Sequence, residues 1–580
     1  MNPARSALGK LVSLVAGLLL LAGGVQAEPA GGPADLLLTN GKIYTVASAT
    51  PWVSAVAIRD GRYVYAGSNE GVAAWRGPAT REIDLAGRMA MPGINDSHSH
   101  PWQGGLKELF ECNFPFSAGL DEIAATLRAC IEKNPDSQWI MGGQWNSDFF
   151  KNNALASPRG WLDEVVGDRA VYLEDDSGHH AWVSSKALEL AGVTATTPDP
   201  AGGKFLRDAS GAPNGVALET ATLAIGSVLP EGSLEDNVAA IRKAVEMANA
   251  FGITGMLEAR TPANVSPAYA EADRSGQITT HVVTDLQTPP PERDKVMDVA
   301  ALEAISDLYA SKNVHTRFAK IFLDGVPTAS RSAVMIEPYL VDEQNPTPTS
   351  GMLMIEPELL QRDLQALDAA GFTVKIHTAG DGSVRLALDA IEAVRKSNGP
   401  SGLRHELAHA GYIHPDDLPR FAQLNVTADL SPYLWYPRPV IDSIVGAVGE
   451  RGYRYFPIKD LLASGANVAM GSDWPSVAVN MNPWPAIEAM VTRRNPLRDD
   501  DETLWQEQAI TLEQALEIAT RYGARAYRLE AVTGSVEVGK SADLIVLNHN
   551  LFDIPPGQIS ETAPQLTLFA GQVVYPQDPD

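Results

Sequence analysis

Two kinds of segment alternate through the middle of this chain: short runs of β-branched and apolar residues, and longer stretches whose apolar positions fall three or four apart. Runs of the first kind end at His100 and then recur over 252–259, 278–286, 314–324, 372–378, 403–409, 425–430 and 467–473, eight in all. Between them the helical period is clear over 235–250, 300–312, 357–370 and 384–396. Strands alternating with amphipathic helices predict an α/β fold with a parallel sheet. Eight such units predict a closed (β/α)8, TIM-like barrel. The last seven strands fit into 252–473, close to the usual pace of about 30 residues per unit.

The interval from Pro101 to Phe251 far exceeds one crossover helix, so an insert within 102–250 must leave the C-terminal end of the first strand. Barrel active sites collect at that end. The insert carries Trp102, Trp139, Trp145, Trp161 and Trp182, and is expected to act as a lid and substrate wall. At the two ends of the chain the pattern changes to short β-type runs between glycine turns, over 35–46, 55–66 and 83–91 and again over 534–547 and 566–575. These predict one composite β-sandwich built from 35–92 plus 530–577, with the barrel over 93–529 between its halves.

Residues 1–27 carry Arg5 and Lys10, then an apolar run from Leu11 to Leu21, then Val25-Gln26-Ala27. That order predicts a signal peptide cleaved near Ala27, and hence a periplasmic or secreted mature chain with no integral membrane segment. The formal charge is -26, from 71 acidic against 45 basic residues, which makes polyanions poor partners and argues against nucleic acid. A small-molecule substrate is the expectation, and a homo-oligomer is compatible with the sequence. Cys112 and Cys130 are the only cysteines, able to pair in an oxidising compartment but too few for a disulfide framework.

Chemistry enters at Met91-Pro-Gly-Ile-Asn-Asp-Ser-His-Ser-His-Pro101. A strand of period two points His98 and His100 the same way, and two convergent imidazoles make half of a zinc-type site. Further polar groups stand at later strand ends: Lys320 in Arg317-Phe-Ala-Lys-Ile-Phe-Leu-Asp-Gly325, His377 closing Val374-Lys-Ile-His, His409 closing Glu406-Leu-Ala-His, and Asp473 closing Ala469-Met-Gly-Ser-Asp. An unpaired ammonium in an apolar strand would be costly to bury, so Lys320 needs a partner or a modification.

The set Pro92-Gly-x-x-Asp-x-His-x-His100, Lys320-x-x-x-Asp-Gly325, Lys375-Ile-His-Thr-Ala-Gly-Asp381, His409-Ala and Gly471-Ser-Asp-Trp-Pro475 resembles the amidohydrolase superfamily. Within it the chain is similar to the amidohydrolase-3 branch that holds N-substituted formamide deformylase-like enzymes. Gly178-His179, Ser185-Lys-Ala-Leu188, Gly215-Val-Ala-Leu-Glu219 and Gly534-Ser-Val-Glu-Val-Gly-Lys-Ser-Ala-Asp543 add to the match, which covers roughly 35–577. Departures fall at Asn95 and Ser99, where the family has apolar residues, and at Leu403-Arg-His-Glu-Leu-Ala-His409, where His405 is a rival to His409.

The resemblance implies two divalent ions, usually zinc, held by His98, His100, Lys320, His377, His409 and Asp473 and bridged by a carboxylated Lys320. It implies attack by metal-activated hydroxide on a carbonyl, with Asp473 as general base and acid and His179 as a catalytic contact to the substrate oxygen. Trp102, Trp145, His180 and Tyr433 are candidate substrate contacts. The expected reaction is hydrolysis of an amide-type C–N bond, N-acyl or N-formyl, beside an apolar or aromatic group. A deaminase would use one ion and a glutamate three residues after His377, but position 380 is Gly and Lys320 would have no role. A lactonase or esterase would share the ligands, whereas a silent binding protein would have lost some of the six.

Overall fold

The computed structural model describes residues 32–576 apart from 147, 154, 344, 435–438, 477, 499 and 500. The leader segment expected over 1–27 lies outside the described residues. Eight strands, β1 (Ile94–Ser99), β2 (Ile253–Thr261), β3 (His281–Gln287), β4 (Val314–Phe322), β5 (Thr373–Thr378), β6 (Glu406–His409), β7 (Thr427–Leu430) and β8 (Asn467–Met470), pair in chain order as one all-parallel sheet. The sheet nearly closes into a barrel: just past β8 the Asp473 amide donates to the His98 carbonyl of β1 at 2.7 Å. Closure needs Gly471, since a Cβ there would sit 2.4 Å from the His98 amide nitrogen.

The barrel strands are buried on both faces, and the helices between them bury the stripes their sequence period predicts. In α1 (Leu234–Ala250) the stripe is Ala240, Ile241, Ala244, Val245 and Ala248. Ser233 and Asp236 form a reciprocal capping box that satisfies the first free amides of that helix. In α2 (Asp381–Asn398) the stripe is Val384, Ala387, Leu388, Ile391 and Val394, and Arg395 and Lys396 face the negative end of the helix dipole. Asn95 and Ser99 keep their buried places on β1 through hydrogen bonds, Asn95 Nδ2 to the Thr520 carbonyl at 2.7 Å and Ser99 Oγ to the Leu257 carbonyl at 3.1 Å.

The chain ends meet in two sheets. One contains Leu36–Thr39, Ala55–Arg59, Arg62–Gly67 and Arg81–Asp84. The other joins Lys42–Tyr44, Trp52–Val53 and Met89–Pro92 to Leu544–Leu547, Pro564–Phe569 and Gln572–Tyr575, with Ile545 opposite Met91. Leu38, Ile43, Val56, Ile58, Leu544 and Val546 share one core between them. Residues 534–542, expected to be extended, are mostly turn and irregular: Gly539 sits at φ +93, Ser541 makes a single antiparallel bridge to Arg62, and the regular strand is 544–547.

The insert is more than a loop. A six-stranded mixed sheet spans Cys112–Asn113, Trp139–Trp145, Ala170–Asp175, His180–Val183, Gly203–Arg207 and Pro213–Glu219. It has apolar cores of its own, one around Leu127, Trp145, Leu162 and Trp182 and one around Ala181, Val183, Phe205 and Ile225. Cys112 and Cys130 are joined in a disulfide at its margin. Among the described residues no helix is long and apolar enough to cross a membrane.

Candidate metal centre

At the C-terminal mouth of the barrel, His98, His100, Lys320, His377, His409 and Asp473 line one small cavity together with His179 of the insert. Asp473 Oδ1 lies 3.6 Å from His98 Nε2 and 3.4 Å from His100 Nε2, and Asp473 Oδ2 lies 3.9 Å from His409 Nδ1. One atom each from His98, His409 and Asp473 falls within 4.8 Å of the others, the spacing of groups that can share a cation. Asp473 reaches this place from a left-handed backbone, φ +57, a conformation uncommon for a residue with a Cβ and one that tertiary contacts must hold.

One rule orients the imidazoles. His98 Nδ1 is 2.8 Å from Asp429 Oδ2, His377 Nδ1 is 3.1 Å from Asp324 Oδ1, and His409 Nδ1 is 2.8 Å from Ser431 Oγ. Each ring is tethered through Nδ1, and His98 thereby turns Nε2 toward Asp473, the arrangement by which outer groups fix the tautomer of a ligating histidine. His377 Nε2 is buried and has no hydrogen-bond partner among the described residues, an arrangement that a cation would satisfy. His100 Nδ1 faces Glu258 Oε1 at 3.4 Å, too long and poorly directed for a full hydrogen bond.

Electrostatics favour the ligand forms. Burial, with the Lys320 and Lys375 ammonium groups, holds His98 well below the usual imidazole range. Burial and the neighbouring His98 and His377 do the same for His409. His377 is lowered chiefly by burial as well. These three are therefore neutral donors at physiological pH. Lys320 is 1% exposed, and burial and the Lys375 charge push its ammonium down to about 8. Among the described residues no ion pair holds its Nζ, which lies 5.0 Å from the centre of the Phe322 ring.

Behind the ligands stands a layer of buried acids. Asp324 accepts from His377, from the Val334, Ala379 and Gly380 amides, and from Ser383 Oγ. Asp429 accepts from His98, Ser97 and Lys375. Glu258 accepts from the Trp102 amide and the Tyr269 hydroxyl beside His100. Sequence reasoning assigned no role to these three. The cue was available: Asp429 and Glu258 are charged residues inside apolar strands, the same signal that singled out Lys320.

The insert supplies His179, whose Nδ1 is 2.7 Å from Glu219 Oε2 and whose ring centre is 4.9 Å from that of His377. Its neighbour His180 points elsewhere: it is buried, with Nδ1 2.8 Å from Asp175 Oδ2. Burial opposes its charge, but Asp175 outweighs it and holds the imidazole up to about 10. His405 likewise lies away from the centre, bonded through Nε2 to Asp368 and through Nδ1 to the Val374 amide.

A second, larger cavity opens beside the first. Gly178, His179, Arg260 and Phe322 border both. Its lining includes the apolar Leu223, Pro289, Pro290, Pro291, Met297, Ile321, Met354 and Ile355, together with polar Thr220, Thr222, Gln287 and Thr288. Trp102, Trp145, His180 and Tyr433 are not on the walls of either cavity. The Trp102 indole donates to Asn237 and the Trp145 indole to the Leu173 carbonyl, so both are used within the packing.

A model of the amidohydrolase family matches residues 81–575. Protein LONG AFTER FAR-RED 3 of Arabidopsis thaliana is 30% identical over 561 residues, spanning 94% of this chain and 93% of its own. The N-substituted formamide deformylase of Arthrobacter pascens is 26% identical over 554 residues, spanning 93% and 98%. Among solved structures, an uncharacterised metal-dependent hydrolase from Pyrococcus furiosus superposes with a TM-score of 0.66 at 25% identity, over 89% of this chain and 99% of that one.

Proposed function

The chain belongs to the amidohydrolase family and is a metal-dependent hydrolase of carbon–nitrogen bonds, and from that premise we propose that it is exported and cleaves an amide-type bond, N-acyl or N-formyl, in a small molecule bearing an apolar or aromatic group. The observation that carries the reading is the convergence of His98, His377 and His409, each tethered through Nδ1, on one cavity beside Asp473 and Lys320.

That donor set fits two zinc-type ions held by His98, His100, His377, His409, Asp473 and Lys320. Lys320 suits the bridge only as a carbamate, since an ammonium offers donors and no lone pair. When bound, the ions supply Lewis acidity toward a carbonyl and lower the pKa of water toward neutrality.

The remaining work falls to the chain. Asp473 takes a proton from the attacking water and returns it to the leaving nitrogen, the general base and acid of the reaction. His179, fixed through Nδ1–H on Glu219, would as an imidazolium donate from Nε2–H to the substrate carbonyl oxygen at the border of the two cavities. The apolar residues lining the larger cavity take the hydrophobic group of the substrate.

Assaying the zinc-loaded protein against amides, formamides, esters and lactones that share one apolar group tests this reading. Amides or formamides should have the highest kcat/KM; cleavage confined to esters or lactones would overturn it. Export draws support from the basic-then-apolar order of residues 1–27 and from the Cys112–Cys130 disulfide, a bond that persists in oxidising compartments. Its test is the N-terminal sequence of protein recovered outside the cytoplasm, expected to begin just after Ala27.

A further inference from the structure

Resting on the amide-hydrolase reading, we propose that Arg260 reads a carboxylate next to the scissile amide, so that the substrates are N-acylated amino acids with an apolar side chain or acyl group. Arg260 is the second-last residue of β2, half-buried, two residues beyond the Glu258 that faces His100. It borders both the metal cavity and the larger cavity. Any substrate with its amide at the metal ligands and its hydrophobic group against the apolar lining of the larger cavity must pass it.

The guanidinium is uncommitted. No hydrogen bond or ion pair ties it to any described residue; only its backbone amide is engaged, donating to Glu258 Oε1 at 3.4 Å. The acids that border the same cavities have partners of their own, Asp473 facing His98 and His100 at 3.6 and 3.4 Å. Glu174 accepts from Gln103 and Lys107, Glu219 from His179 and Ser332, and Asp363 from Arg362. A half-buried guanidinium without a counter-charge, at a place where substrate must lie, is suited to bidentate pairing with a carboxylate, a geometry a lysine cannot reproduce. An anion is also the ligand class whose loss would leave a partly desolvated charge unpaired, which is what gives such a site its discrimination.

The test compares N-benzoylphenylalanine with N-benzoylphenethylamine, the same molecule with the carboxylate replaced by hydrogen. Binding is measured by calorimetry in zinc-loaded Asp473→Asn protein, which turns over slowly, and kcat/KM is measured in otherwise unmodified enzyme. The acid should bind at least about 30-fold more tightly than the neutral compound, in line with charge-assisted bonds. Arg260→Gln should abolish that preference while changing affinity for the neutral compound less than about threefold, and Arg260→Lys should restore only part of it.

Equal binding of the two compounds, or an equal loss for both in Arg260→Gln, would overturn the assignment. The binding arm decides even if neither compound is hydrolysed. In that event neither compound is a substrate, the amide-hydrolase reading is still judged by the comparison of amides, formamides, esters and lactones, and the carboxylate preference stands or falls by the binding arm.

Discussion

On one side of the centre His98 and His100 both direct Nε2 at Asp473 Oδ1, at 3.6 and 3.4 Å, so a carboxylate oxygen is in place among imidazoles. On the other, His377 faces His179 with its Nε2 buried and without a hydrogen-bond partner, and the nearby buried group is Lys320, which contributes no oxygen. The first side can take a cation with the side chains as they are encoded. The second gains an anionic ligand only after the lysine is carboxylated. On the proposed reading the second side would depend on a covalent change that burial favours, because a solvated lysine would stay protonated and repel the ions.

The comparison is broken most severely at Lys320. In Lys320→Ala the second ion should be lost and kcat/KM should fall about 10⁴-fold, the equivalent of several kcal/mol of charge stabilisation. Short carboxylic acids in the assay should restore part of the activity. Full activity without added acid would show that the second side needs no bridging oxygen.

Asp473→Asn acts on the first side and keeps its size. The rate of the chemical step should fall about 10² to 10⁴-fold, the usual worth of general-base help, while bound metal falls much less. Near-normal kcat with metal bound would move the proton-transfer role to another group, His179 being the nearest candidate.

The tethers sharpen the contrast at smaller scale. Asp324 fixes His377 while holding three backbone amides and a hydroxyl, so Asp324→Asn should cost about 10 to 100-fold in metal affinity or activity, as loss of an outer partner usually does. Ser431 holds His409 by a single neutral hydroxyl, and Ser431→Ala should cost only about 2 to 10-fold, the worth of one ordinary hydrogen bond. Equal effects from the two variants, measured by metal titration and kcat/KM, would show that tether charge is irrelevant.

How much of this was legible differs by layer. The eight barrel strands could be read because each is a short apolar run bounded by amphipathic helices, and all eight pair in chain order. The candidate ligands could be read because polar residues are scarce at strand ends, and they do line one cavity. The insert could be placed but not drawn: its six strands include the two-residue Cys112–Asn113 and the Gly-Gly-containing Trp139–Trp145, which carry little periodic signal.

The aromatic candidates Trp102 and Trp145 could not be assigned from sequence, since an indole reads the same whether it packs in a core or lines a cavity. Arg260 was overlooked for the opposite reason. Nothing marks a single charged residue near a strand end until its partners, or their absence, can be seen.

The most direct measurement is the metal content of fully active protein, purified with excess zinc and bicarbonate and then freed of loose metal. The account predicts close to two ions per chain, falling to one or fewer in Lys320→Ala. One ion per chain in the fully active wild type would contradict it.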